Sequence, residues 1–131
     1  MTDLITGVSG ADMFSDPAGS RYSWHRVASA ASTNATSVKA APGHVYGFYV
    51  GNVDTDEIRY LKFYDKASAP TVGTDTPIAT IAIPISGQAY AYFPVGIPFA
   101  VGIAYAIVDG VTDASVVVVA ANDVHGGLLY A

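Results

Sequence analysis

The reactive side chains of this chain are few, and their spacing limits what they could do. Three histidines stand at His25, His44 and His125. Histidine pairs that hold zinc or nickel from one element are closely spaced, as in His-x-His or His-x-x-x-His. None of the three has such a neighbour, so a metal would need the fold or a symmetry axis to gather them, and they read as surface or hydrogen-bonded core histidines. Asp54-Thr55-Asp56-Glu57 sets three carboxylates in four residues, enough oxygen to interest calcium. It lacks the bend glycine and distal Glu of an EF-hand loop. Asp109 and Asp113, either side of Gly110, invite the same thought, and both segments read as solvated loops. Paired carboxylates also serve glycoside hydrolysis, but the acids fall in turn-like stretches and Glu57 is the single glutamate. Gly7-Val8-Ser9-Gly10 misses the Gly-x-Ser-x-Gly elbow of a serine hydrolase. The expectation is a protein that is not an enzyme, with no catalytic or metal-ligating residue and no cofactor.

Tyrosine is more informative, with nine in the chain. Period-two alternation in Arg59-Tyr60-Leu61-Lys62-Phe63-Tyr64-Asp65 puts Leu61 and Phe63 on one face and Tyr60, Lys62 and Tyr64 on the other, the pattern of a strand buried on one side. Tyr90 and Tyr92 share a face of another segment. In His44 to Asn52, alternation sets Tyr46 and Phe48 against Val45 and Tyr49. A tyrosine ring carries a large apolar body and a polar tip, which suits it to cross-strand pairing, to protein interfaces and to stacking on sugars. Tyr49, Tyr60, Lys62, Tyr64, Tyr90 and Tyr92 are the candidate contact residues. Trp24, between Ser23 and His25-Arg26, reads as a core anchor.

The elements that must position these side chains read as strands. At 131 residues the chain fits one domain that can bury a core without staples. Apolar or aromatic runs recur between turn signals over Trp24 to Ala30, Thr36 to Ala40, His44 to Asn52, Ile58 to Asp65, Ile78 to Pro84, Gln88 to Phe93, Gly102 to Val108 and Val124 to Tyr130. Pro42-Gly43, Asp54-Thr55-Asp56, a tight hairpin link at Ser86-Gly87, and Asp109-Gly110 punctuate them. The expected fold is all-β, a two-layer antiparallel β-sandwich of about eight strands, jelly-roll-like, over 24–131. An immunoglobulin-like strand order stays open. Residues 1–23 read as an irregular N-terminal arm. Val116-Val117-Val118-Val119 is β-prone and uncharged, so it must be covered by its own domain or by a neighbouring subunit.

Charged residues make up 13% of the chain against a usual 25% or so, while 51% is apolar. Such sparse charge leaves apolar surface to be buried against other protein, so a homo-oligomer is expected, with closed symmetry the default. A net charge of −5 with only six basic residues opposes nucleic acid and anionic membrane as partners. The absence of cysteine fits assembly in a reducing cytoplasm. The first residues lack a basic region followed by an apolar run, so no secretory signal is expected. The run Ile97 to Val108, broken by Pro98 and Gly102, is too short to span a membrane.

Several motifs, taken in order, carry a resemblance. They are Ser32-Thr33-Asn34-Ala35-Thr36-Ser37-Val38-Lys39-Ala40, Val45-Tyr46-Gly47-Phe48-Tyr49-Val50, Arg59 through Pro77, Gly102-Ile103-Ala104-Tyr105-Ala106-Ile107, and Val119-Ala120-Ala121-Asn122-Asp123-Val124 closing on Leu128-Leu129-Tyr130-Ala131. From about Ala28 to Ala131 the chain resembles a group of short tailed-bacteriophage and prophage virion structural proteins. The resemblance implies a capsid decoration or cement protein located in the virion, with itself and the major capsid protein or other virion proteins as partners. It favours a homotrimer, because phage heads offer threefold positions. In that setting the tyrosines would face a subunit or the capsid, and Leu4, Ile5, Met13 and Phe14 of the arm would anchor the protein to the particle. The alternative is a tail or head-fibre tip module that binds a host surface glycan through exposed tyrosines.

Overall fold

In the computed structural model, residues 22–131 are described; the expected arm, with Leu4, Ile5, Met13 and Phe14, lies outside them apart from its last two positions. Eight strands form two antiparallel sheets, with no helix among the described residues. The strands are β1 (Ser23–Ala28), β2 (Thr36–Lys39), β3 (Gly43–Asn52), β4 (Arg59–Asp65), β5 (Ala79–Ile83), β6 (Gly87–Phe99), β7 (Ile103–Val108) and β8 (Val124–Tyr130). One sheet has the order β1-β8-β3-β6 and the other β2-β7-β4-β5. The pairs β1·β8, β2·β7, β3·β6 and β4·β5 nest one inside the next, like the strands of a long hairpin rolled up across two sheets.

Alternation builds the core. Val27, Phe48, Val50 and Leu128 from the first sheet meet Leu61, Phe63, Ile103 and Ile107 from the second, and all are buried. Phe63 links the layers, with ring centroids 6.1 Å from Phe48 and 6.0 Å from Phe99. Each such side chain contributes about 1.5–3 kcal/mol by leaving water.

Three local expectations are corrected. A bulge between Val45 and Gly47 breaks the alternation of β3, so Val45 turns inward with Phe48 and away from the face of Tyr49. Ser86-Gly87 does not close a hairpin; its turn carries the chain from β5 in one sheet to β6 in the other. Strand β6 also runs past Phe93 to Phe99, because three extra residues around Pro94 and Val95 are absorbed by the register shift opposite Tyr46.

A fourth correction concerns the outer face of the β2-β7-β4-β5 sheet. Lys62 and Tyr64 do point away from the core, yet both are buried, and neither offers a contact surface. Ala104, Ala106 and Val108 beside them are buried as well. The loops after β4 and β7 roof this face. Lys62 donates from Nζ to the Thr112 carbonyl, and Val72 packs on Tyr64, Ala104 and Ala106. The two loops touch each other at Gly73, whose positive φ of 90° and lack of a Cβ let Val116 come close. Tyr60, at the edge of the roof, is half-buried. Loss of water pushes the Lys62 ammonium below its ordinary pKa against the opposing pull of Asp113, and the same burial, with the charges of Asp75 and Asp113, raises the Tyr64 phenol.

Arg59 holds the loops at one end. Its guanidinium donates to Asp109 Oδ1 at 2.6 Å, to Asp54 Oδ2 at 3.0 Å and, through Nε and Nη2, to Asp123 Oδ2 at 3.1 and 2.8 Å. Asp54 lies in the β3–β4 loop and Asp109 and Asp123 at the two ends of the β7–β8 loop, so one cation ties together chain from both sheets. The Arg59 side chain is 7% exposed. Removing one member of a buried charge cluster leaves the others uncompensated. Arg59→Met is therefore expected to cost about 3 kcal/mol or more in denaturant unfolding, and Arg59→Lys, a point charge without the fork, to recover only part of it. A wild-type unfolding midpoint for Arg59→Met would contradict this role.

Candidate functional site

The outer face of the β1-β8-β3-β6 sheet is open. Cross-strand register lines up its side chains in three rows: Trp24, Leu129, Gly47 and Tyr92; Arg26, Gly127, Tyr49 and Tyr90; and Ala28, His125, Gly51 and Gln88. Trp24 is 53% exposed, Tyr49 51%, Tyr90 70% and Tyr92 64%. The expectation that Trp24 anchors the core is thus overturned: in β1 the inward positions are His25 and Val27, and alternation turns Trp24 and Arg26 outward.

Glycine shapes the surface. The Trp24 indole lies over Gly127 so closely that a Cβ there would overlap the ring. Trp24 therefore reaches across β8 toward Tyr49, and Tyr49 meets Tyr90 with ring centroids 6.1 Å apart and planes inclined by 23°. The result is an aromatic strip running across the sheet over Gly127, from Trp24 through Tyr49 to Tyr90, with Tyr92 beside it. None of the four strands carries an Asp or Glu. The polar side chains on the face are Arg26, His125 and Gln88, none held in a hydrogen bond or ion pair among the described residues. Chemically such a face can stack on flat or faceted partners and hydrogen-bond to them.

Tyr49, Tyr90 and Tyr92, expected as contact residues, are brought together here; Tyr60, Lys62 and Tyr64 lie on the opposite, roofed side of the molecule. Sequence reasoning missed Trp24, whose signal was the alternation with Val27, and missed Gly127, whose lack of a Cβ makes room for the indole.

Several of the remaining reactive groups have structural partners. Asp54 Oδ1 accepts the Asp56 and Glu57 amides, both at 2.8 Å, and its other oxygen meets Arg59, which together hold its carboxyl below the usual range. Asp65 accepts the amides of Ala100, Val101 and Gly102 and is lowered for that reason. It borders an open trough of about 590 Å³ lined also by Lys39, His44, Tyr46, Pro98 and Phe99. His44 stacks on Tyr46, His125 is exposed on the open face, and His25 Nε2 lies 3.0 Å from the Tyr105 hydroxyl. The three histidines thus occupy separate places, and no group of three or more acidic or histidine side chains suited to a metal forms among the described residues.

Partial burial lowers the His25 pKa below 6.5, so the folded state favours neutral imidazole. Between the folded and unfolded values the unfolded chain binds more protons, so stability rises with pH there: it is complete above about 6.5 and lost as pH falls toward the folded value. Asp54, Asp65 and Asp75, all lowered from 3.8, add a second loss below about pH 4. Thermal unfolding followed by circular dichroism from pH 7.5 to 3 should show both declines, with His25→Gln removing only the first. An unchanged profile for that variant would refute the assignment.

Comparison of the chain with protein-family models, with curated proteins and with solved structures finds no match.

Proposed function

We propose that this chain is a non-enzymatic virion structural protein of a tailed phage or prophage, which decorates or cements the capsid as a homo-oligomer, a trimer by preference. The reading rests on the sequence resemblance and on one structural observation. Val116, Val117 and Val118 are each more than half exposed and lie outside every strand, in the same loop as the similarly exposed Val111. The domain buries Val119 but leaves the other three of this β-prone run in water. Three consecutive exposed valines with no charge among them are a contact surface that a soluble neighbour would cover.

The mechanism is mechanical. Aliphatic surface leaves water between subunits at about 25 cal/mol per Å², less the cost of immobilising them. The sparse charge of the chain lowers the electrostatic cost of packing many copies side by side. Major capsid protein or other virion proteins are the further partners, and the virion, assembled in the host cytoplasm, is the location.

Two measurements test this. In sedimentation velocity the wild type should run as an oligomer, and Val117→Lys with Val118→Lys should shift it to monomers without lowering the thermal midpoint, since both sites are exposed. Quantitative mass spectrometry of purified particles should find copies comparable in number to the major capsid protein. A monomeric wild type, or a chain absent from particles or present at a small fraction of the capsid protein, would reject the proposal.

A further inference from the structure

We propose that the open face of the β1-β8-β3-β6 sheet is a carbohydrate platform, on which pyranose rings of an oligosaccharide stack along Trp24, Tyr49 and Tyr90. This is a separate surface from the valines of the β7–β8 segment, and the two can be tested apart.

The first argument is the chemistry of the face. In the three rows its side chains are aromatic, polar or glycine, apart from Ala28 and the half-buried Leu129; the exposed Pro94 and Val95 of β6 follow Tyr92 beyond them. Protein interfaces also concentrate Trp, Tyr and Arg, but surround them with an extended rim that excludes water. Within these rows Ala28 and Leu129 are the only aliphatic side chains, and the Tyr49 and Tyr90 rings, both largely exposed, stack at an inclination of 23°. The apolar C–H face of a pyranose seeks such a surface, and its equatorial hydroxyls need donors and acceptors at the edge. Arg26 sits in the same row as Tyr49 and Tyr90, and Gln88 and His125 form the next row, so all three can reach the rim of a stacked ring.

The second argument is size. Four strands about 4.8 Å apart and three rows about 6.8 Å apart make a platform of roughly 400 Å². A stable protein–protein contact buries about 800 Å² on each partner. The platform is half of that, and a short saccharide needs no more.

The third is charge. All eight described acidic side chains lie outside this sheet, on a chain of net charge −5. The face keeps Arg26 and His125 instead, so neutral sugars meet no repulsion and uronates meet a guanidinium.

Trp24 is the single tryptophan of the chain, so its emission reports this face directly. The full chain would be titrated to millimolar concentrations with maltohexaose, cellohexaose, mannohexaose and an oligogalacturonate, following tryptophan fluorescence. At least one member is expected to shift the emission saturably, and Tyr49→Ala with Tyr90→Ala to weaken that binding at least tenfold with the thermal midpoint retained. Gln88→Ala, a milder change at the rim, should weaken it severalfold. Silence across the panel, or undiminished binding by the tyrosine variant, overturns the platform. So does dissociation of an oligomer by the tyrosine substitutions, which would assign the face to protein contact. A chain that assembles through Val116–Val118 and ignores every sugar would sink this inference and leave the structural role standing.

Discussion

A sandwich of two sheets has four faces and hides only two of them, so the fate of the outer pair decides how the molecule meets its surroundings. Here the two outer faces are treated in opposite ways. The β2-β7-β4-β5 sheet is folded under its own loops, which bury Lys62 and Tyr64 at 0% and 1% exposure and rest on Ala104 and Ala106. An ion pair between Lys66 and Asp75 at 2.5 Å and the amide of Thr71 on the same carboxylate hold the first of those loops in shape. The β1-β8-β3-β6 sheet has no such roof, and its tyrosines and tryptophan stand in solvent.

That asymmetry depends on how the connections are pinned. Nested pairing sends the chain from one sheet to the other at almost every turn, so the loops must be fixed at the ends of the sandwich rather than by neighbouring strands. Arg59 fixes two of them, the β3–β4 loop through Asp54 and both ends of the β7–β8 loop through Asp109 and Asp123. Asn52 assists by donating to the carbonyls of Glu57 and Ile83 while it accepts the Asp54 amide. Two of the carboxylates that invite comparison with a calcium loop, Asp54 and Asp109, are thus organised around an internal cation. With the β7–β8 connection held at both ends, its middle carries Val116 to Val118 outward, where they are available to another subunit.

Much of this was legible in the sequence. Alternation and turn residues located all eight strands, and the inward set of β4, Leu61 and Phe63, follows directly from period two. What failed has physical causes. Alternation says which side of a sheet a residue faces, not whether a loop covers that side, so Lys62 and Tyr64 looked exposed. A single-residue bulge inverts everything beyond it, which misplaced Val45. Ser86-Gly87 is the right chemistry for a sharp turn, but a turn does not announce whether its strands pair with each other, so the nested order was beyond reach. Trp24 was misjudged because size was weighed above phase; Val27 is the inward residue of β1, and Trp24 lies three positions earlier on the other face. Of the candidate site, Tyr49, Tyr90 and Tyr92 were named from the sequence, whereas their union with Trp24 across Gly127 needs the register of three strand pairs.

The unequal treatment of the two outer faces is the claim on which the reading of the open face stands. Residue-resolved surface labelling of the native chain tests it most directly: acetylation of lysines together with photochemically induced nuclear polarisation of tryptophan and tyrosine. The structure predicts strong polarisation of Trp24, Tyr49, Tyr90 and Tyr92, none of Tyr64, and rapid acetylation of Lys39 with Lys62 protected until unfolding. Polarised Tyr64, or Lys62 acetylated as fast as Lys39, would contradict it.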